Sequence, residues 1–153
     1  MIALCLALLI GVIAGLRAMT APAAIAWGAH LGLLHLDGSW LHFFAHPAAS
    51  WVFTVLALAE LVTDQLPSTP SRTVPIQFST RILSGGVCGA AIGFSAGSVW
   101  LGTALGIVGA IIGTLSGRAV RRKLASTFRK DRPAALIEDA VAIGSAALVI
   151  LAA

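Results

Sequence analysis

The sequence predicts an all-α fold: a polytopic transmembrane helical bundle of about six membrane helices, the first two a short hairpin. Three observations carry that expectation. Of the 153 residues, 58% are hydrophobic and only 10% are charged, with a mean hydropathy of +0.96, whereas a soluble domain carries about 25% charged residues. Four apolar runs, 49–66, 78–96, 99–117 and 134–152, each approach the roughly 20 residues needed to cross a bilayer. A strongly basic stretch separates the last two runs. Spanning segments use nearly the whole length, so a single transmembrane domain over 1–153 is expected, with no separate soluble domain.

The first 36 residues are the hardest to place. MIALCLALLIGVIAGLRAMTAPAAIAWGAHLGLLHLDG holds two shorter apolar stretches on either side of Arg17. Thr20 is suited to cap a second helix, Pro22 is tolerated in its first turn, and Asp37-Gly38 is a stop signal. The pattern reads as a helical hairpin with RAMT at its tip. Helices of about 16 residues reach roughly 24 Å against a 30 Å hydrocarbon core, so length leaves open whether the hairpin crosses twice or only re-enters. A rival arrangement makes residues 2–36 one span plus an interfacial piece, which leaves Arg17 on the far side with Asp37 alone for company. The hairpin instead puts all ten Lys and Arg residues on one side and brings Arg17 near acids. It is preferred, with six segments and both termini outside. Residues 1–15 lack the positive start of a signal peptide and are kept as a helix.

Run 49–66 ends in AELVTDQLP, where Glu60 and Asp64 lie four apart and share a helix face. The following QLPSTPSRTVP has three prolines around Arg72. It reads as a stiff turn, or as a rigid anion-contacting loop or gate. Arg81 opens run 78–96. Between runs 99–117 and 134–152 stand Arg118, Arg121, Arg122, Lys123, Arg129, Lys130 and Arg132. A nucleic-acid patch is less apt than the positive-inside rule, which makes loop 117–133 cytoplasmic. Glu138 and Asp139 follow Pro133 by five and six residues, early in the last helix.

The glycines form G-x-x-x-G ladders: Gly85, Gly89, Gly93 and Gly97; Gly109, Gly113 and Gly117; and the pairs Gly11/Gly15, Gly28/Gly32 and Gly102/Gly106. Small residues on one face let two helix backbones approach closely. Tight packing within the bundle is the first use expected of them, and a homodimer seam the second. GVIAGLRAMTAPAAIAWGAHLG also resembles GVCGAAIGFSAGSVWLGTALG, which suggests an inverted 3+3 repeat with halves 1–75 and 76–153.

Charged groups in hydrocarbon cost about 2.5–3.5 kcal/mol each on insertion scales and need partners. Glu60 and Asp64 fall in the last turns of a helix running inward, and Glu138 and Asp139 fall in the first turns of one running outward. Arg17 and Arg81 lie at similar depth. One buried network is expected, with Asp64 and Asp139 holding the arginines. Glu60 and Glu138 are the deepest acids and the best suited to proton coupling. The network reads either as interhelical salt bridges or as an ion, proton or polar-solute site. The candidate binding residues are Arg17, Glu60, Asp64, Arg72, Arg81, Glu138 and Asp139.

His30, His35, His42 and His46 gather on the outer side beside Trp40, Phe43 and Phe44 and read as an aromatic interfacial belt. His42 and His46 have metal-pair spacing, but no zinc motif surrounds them. Cys5 and Cys88 read as packing thiols. No catalytic triad order, Walker loop, dinucleotide fingerprint or CxxC is present, so no enzyme, cofactor or metal is expected.

At GLRAMTAPAAIAWGA, AELVTDQLPSTPSRT and IEDAVAIG the chain resembles the bacterial membrane proteins grouped as domain of unknown function 4126. The resemblance implies a small multi-span protein with a G-L-R element near its first helix. It also implies an acid-x-x-x-Asp-x-x-Pro element before the central loop and an acidic last helix. It marks Arg17, Glu60, Asp64, Pro67, Arg72 and Asp139 and supplies no chemistry. The function expected is a small transporter or channel of the bacterial inner membrane for an ion or polar solute, with proton coupling as one form of it. The bilayer, a second copy and the solute are its partners, and nucleic acid is not. The alternative is a structural, assembly or lipid-interacting protein whose charges only lock helices together.

Overall fold

The computed structural model describes residues 1–64, 74–128 and 131–153. Among these residues six α-helices follow one another: α1 (Ile2–Leu16), α2 (Thr20–His30), α3 (Pro47–Thr63), α4 (Pro75–Ser95), α5 (Val99–Phe128) and α6 (Asp131–Leu151). A short 3-10 helix, Trp40–Ala45, lies between α2 and α3. No strand occurs among the described residues.

Local chemistry explains most of the boundaries. Pro47 and Pro75 each sit in the first turn of their helices, where a missing N–H costs nothing. The α2 helix stops earlier than Asp37-Gly38 suggests. Gly32 takes φ +74°, and the Leu33 N–H returns to the Gly28 carbonyl at 2.8 Å, which closes the helix with a left-handed residue. Thr20 is the first helical residue rather than the cap, which is Met19. The expected basic loop 117–133 is largely helix, because α5 runs on to Phe128. Arginine, lysine, leucine and alanine are good helix formers, so the helix outlasts its apolar pattern.

The tight centre is α1, α4 and α5. A methyl group on Gly106 would strike the Gly85 carbonyl, and one on Gly89 the Gly102 carbonyl. Gly11 and Gly15 of α1 press on Gly106, Ala110 and Gly113 of α5, while Gly109 and Gly113 press back on Leu8 and Val12. Thus α5 shows one glycine face to α4 and another to α1, and both are covered within a single chain. Gly97 (φ +69°) makes the α4–α5 turn rather than a ladder contact.

These contacts run α5 parallel to α1 and antiparallel to α4. The bundle therefore has two unlike ends. Trp27, Trp40, Trp51, Trp100 and all four histidines gather at one, through the ends of α2, α3 and α5. Arg17, Arg81, Arg118, Arg121, Arg122 and Lys123 gather at the other. Near the tryptophan end, Phe44 of the 3-10 helix is buried with Ile10, Ile25, Leu41 and Ile92. Trp27 Nε1 donates to Thr54 Oγ1 at 2.9 Å, tying α2 to α3.

Burial is distributed inside out. Buried positions are rich in alanine and glycine and include Arg17, Arg81, Glu138 and Asp139, whereas Val55, Val62, Leu83, Leu136 and Leu148 are all more than half exposed. Among the described residues two helical segments, Val99–Thr127 and Pro133–Leu151, are long and apolar enough to cross a membrane by length and composition. The α1 and α3 helices are apolar but shorter, at 15 and 17 residues.

Candidate functional site

The site is built where the chain breaks between α1 and α2. Arg17 leaves the helix with extended backbone (φ −141°, ψ 109°), and α2 begins three residues later at Thr20. Such a break strands carbonyls at the end of one helix and N–H groups at the start of the next. Buried, each would cost roughly 1–3 kcal/mol if left unmade.

Side chains from three other helices answer them. Arg81 of α4 donates from Nη1 to the carbonyls of Gly15 (2.9 Å) and Leu16 (2.7 Å). Thr114 of α5 donates to the Gly15 carbonyl at 3.2 Å, and Ser84 of α4 donates to the Ala18 carbonyl at 2.5 Å. Glu60 of α3 accepts from the Ala18 N–H with one oxygen and from the Met19 N–H with the other, both at 2.8 Å. A carboxylate from one helix thereby caps the N-terminus of another, where helix dipole and free N–H groups favour negative charge.

The Arg17 side chain is fully buried. Its Nε donates to Asp139 Oδ1 of α6 at 2.7 Å, its Nη2 pairs with the same oxygen, and its Nη1 pairs with Asp64 Oδ2 at the end of α3. Arg81 Nη2 lies 3.4 Å from Glu60 Oε1 and 3.8 Å from Asp64 Oδ2, joining the two sets. Beside this core, Arg121 of α5 donates to the Asp64 carbonyl at 3.1 Å and lies 3.9 Å from Glu138 Oε2.

The structure thus brings together Arg17, Glu60, Asp64, Arg81, Glu138 and Asp139. Arg72 lies outside the described residues, as does Pro67. Glu138 and Asp139 sit deeper than their distance from Pro133 suggests, because α6 begins at Asp131; Asp139 is beyond the first turn, where a helix dipole favours an acid. Sequence reasoning missed Ser84, Thr114 and Arg121. Arg121 lies seven residues after Thr114 on one face of α5, and Ser84 lies three after Arg81. That spacing is the available signal, and the basic run over 117–133, which suggests a loop, hides it.

The histidines lie at the opposite end. His42 Nδ1 is 3.2 Å from Asp37 Oδ1, and His46 Nδ1 accepts the Ala48 N–H at 3.1 Å as the cap of α3. Among the described residues no three His, Cys, Asp or Glu side chains are grouped to hold a metal ion.

Fold and site define a helical bundle organised around a buried network of carboxylates and guanidiniums at a helix break. The chain belongs to the family described as domain of unknown function (DUF4126), whose family model matches residues 4–153. No curated protein and no solved structure matches it.

Proposed function

We propose that the chain is an integral protein of the bacterial inner membrane that passes a small ion or polar solute, with protons as the coupling partner, through the network around Arg17. The observation that carries the reading is the burial of Arg17 between carboxylates from α3 and α6, at a break between α1 and α2. Buried ion pairs are weak stabilisers beside apolar packing of the same volume. Helix ends that converge on one point are a common way to build ion sites inside membranes. The inside-out burial supports the membrane setting, since outer faces so rich in exposed valine, leucine and isoleucine suit lipid better than water. The basic end then faces the cytoplasm, and the tryptophan end the opposite interface.

The helix directions also support an inverted repeat: α1–α2–α3 and α4–α5–α6 run in opposite senses, and the two similar segments form hairpins at opposite ends. Self-association would use another face than the covered ladders, and Gly144 of α6 faces open space.

A second reading, in which the charges only lock helices, is favoured by one observation: Glu60, Arg81, Ser84 and Thr114 all serve broken backbone. Flux separates the two. In liposomes loaded with a pH-sensitive dye, the wild type should move protons under gradients drawn from alkali cations, halides, phosphate and small carboxylic acids. Glu138→Gln, at the edge of the network, should cut that flux at least tenfold while the thermal midpoint holds. Absence of flux from the wild type across the screen, or equal flux from the variant, overturns the transport reading and leaves the lock.

A further inference from the structure

Two open cavities lie end to end along the seam between α1 and α6. One, of about 200 Å³, is walled by α1, α5 and α6 and reaches Arg121 and Glu138. The other, of about 440 Å³, continues between α1 and α6 as far as Leu148 and Ala152. Val12, Leu16 and Val141 line both, so they form one groove. Its walls are aliphatic apart from Ser116, Ser145 and the basic end. From Glu138 to Ala152 the helix rises about 21 Å, against about 15 Å for the hydrocarbon of one leaflet. The groove is therefore long enough to take one acyl chain from the basic end to past the bilayer centre.

Charge selects the occupant. At that end α5 carries Arg118, Arg121, Arg122 and Lys123 within six residues; Arg121 lines the cavity beside Glu138, and Arg118, Arg122 and Lys123 are exposed on the same turns of the helix. Basic side chains at the mouth of an interhelical groove, on the cytoplasmic side, are suited to anionic head groups. We infer that the α1–α6 groove is a specific site for an anionic phospholipid, with an acyl chain along Val12, Val141 and Leu148 and the phosphate at the basic turns of α5. The inference rests on the membrane reading above, though not on transport.

The test titrates delipidated, detergent-solubilised protein with phosphatidylglycerol or phosphatidylcholine and follows thermal unfolding. Phosphatidylglycerol should raise the midpoint by about 3 °C or more, as a ligand of the folded state does, and phosphatidylcholine should leave it in place. Val141→Trp fills the groove from a position already 55% exposed; it should keep the resting midpoint and lose the lipid response. Arg122→Gln with Lys123→Gln should reduce the phosphatidylglycerol response to that of phosphatidylcholine. Native mass spectrometry should find one phospholipid retained by the wild type and none by Val141→Trp. Equal responses to the two lipids, no response to either, a response that survives Val141→Trp, or a bound peptide in place of lipid overturns the inference. Carbonate extraction keeps the failures apart. A chain washed from membranes overturns the membrane reading, whereas a retained chain without lipid preference overturns the groove alone.

Discussion

Arg17 is the residue on which the network turns. Removing it takes from Asp139 its ion pair and leaves Asp64 with the more distant Arg81 at 3.8 Å, so Arg17→Met should cost about 3–5 kcal/mol, the range for a broken buried pair. Denaturant unfolding in detergent measures it. Adding Asp64→Asn and Asp139→Asn to Arg17→Met should recover most of that loss, because the penalty belongs to uncompensated charge. Arg17→Lys should behave more like Arg17→Met than like the wild type, since one ammonium cannot serve two carboxylates through separate nitrogens as the guanidinium does. That these charges would meet was legible in the sequence, because each is too costly alone in an apolar chain. The roles of Ser84 and Thr114 were not legible. They answer main-chain carbonyls, and nothing in the order of side chains marks which carbonyls a fold will strand.

The α1–α2 break and the α5 ladders are the features of element scale. Glu60→Ala strips the acceptor from the Ala18 and Met19 N–H groups and should cost about 1–3 kcal/mol. Glu60→Gln keeps an acceptor and should cost less, by the same unfolding measurement. Gly106→Ala drives a methyl group into the Gly85 backbone and should destabilise by about 1–3 kcal/mol or more. Gly144→Ala meets nothing within 4 Å and should be neutral or stabilising by up to about 1 kcal/mol. The helices themselves were readable from apolar runs. Their ends were less so. Hydropathy reports which residues avoid water and is blind to a helix that continues through arginine and lysine, as α5 does. The stop of α2 depended on the positive φ of Gly32, which the sequence also offered as half of a glycine pair.

At the scale of the molecule, the unlike ends give a direct topological prediction. In a Cys5→Ser background, Ser39→Cys at the tryptophan end should react with an impermeant thiol reagent in intact cells. Ser126→Cys, exposed on the basic turns of α5, should react only after lysis. Reaction of both in intact cells, or the reverse order, would contradict the orientation. The asymmetry of basic residues was visible in the sequence, while the groove beside α6 was not, since it arises from how far two helices diverge. The Arg17–Asp139 bond spans 122 positions, and this has a consequence for biogenesis. At about 5–20 residues per second of synthesis, the nascent hairpin waits roughly 6–24 s for the segment that neutralises it. Quality-control proteases see an unfinished polar tip throughout that interval. A chain cut short before α6 keeps that tip permanently and should disappear faster than the full-length chain in a pulse–chase experiment.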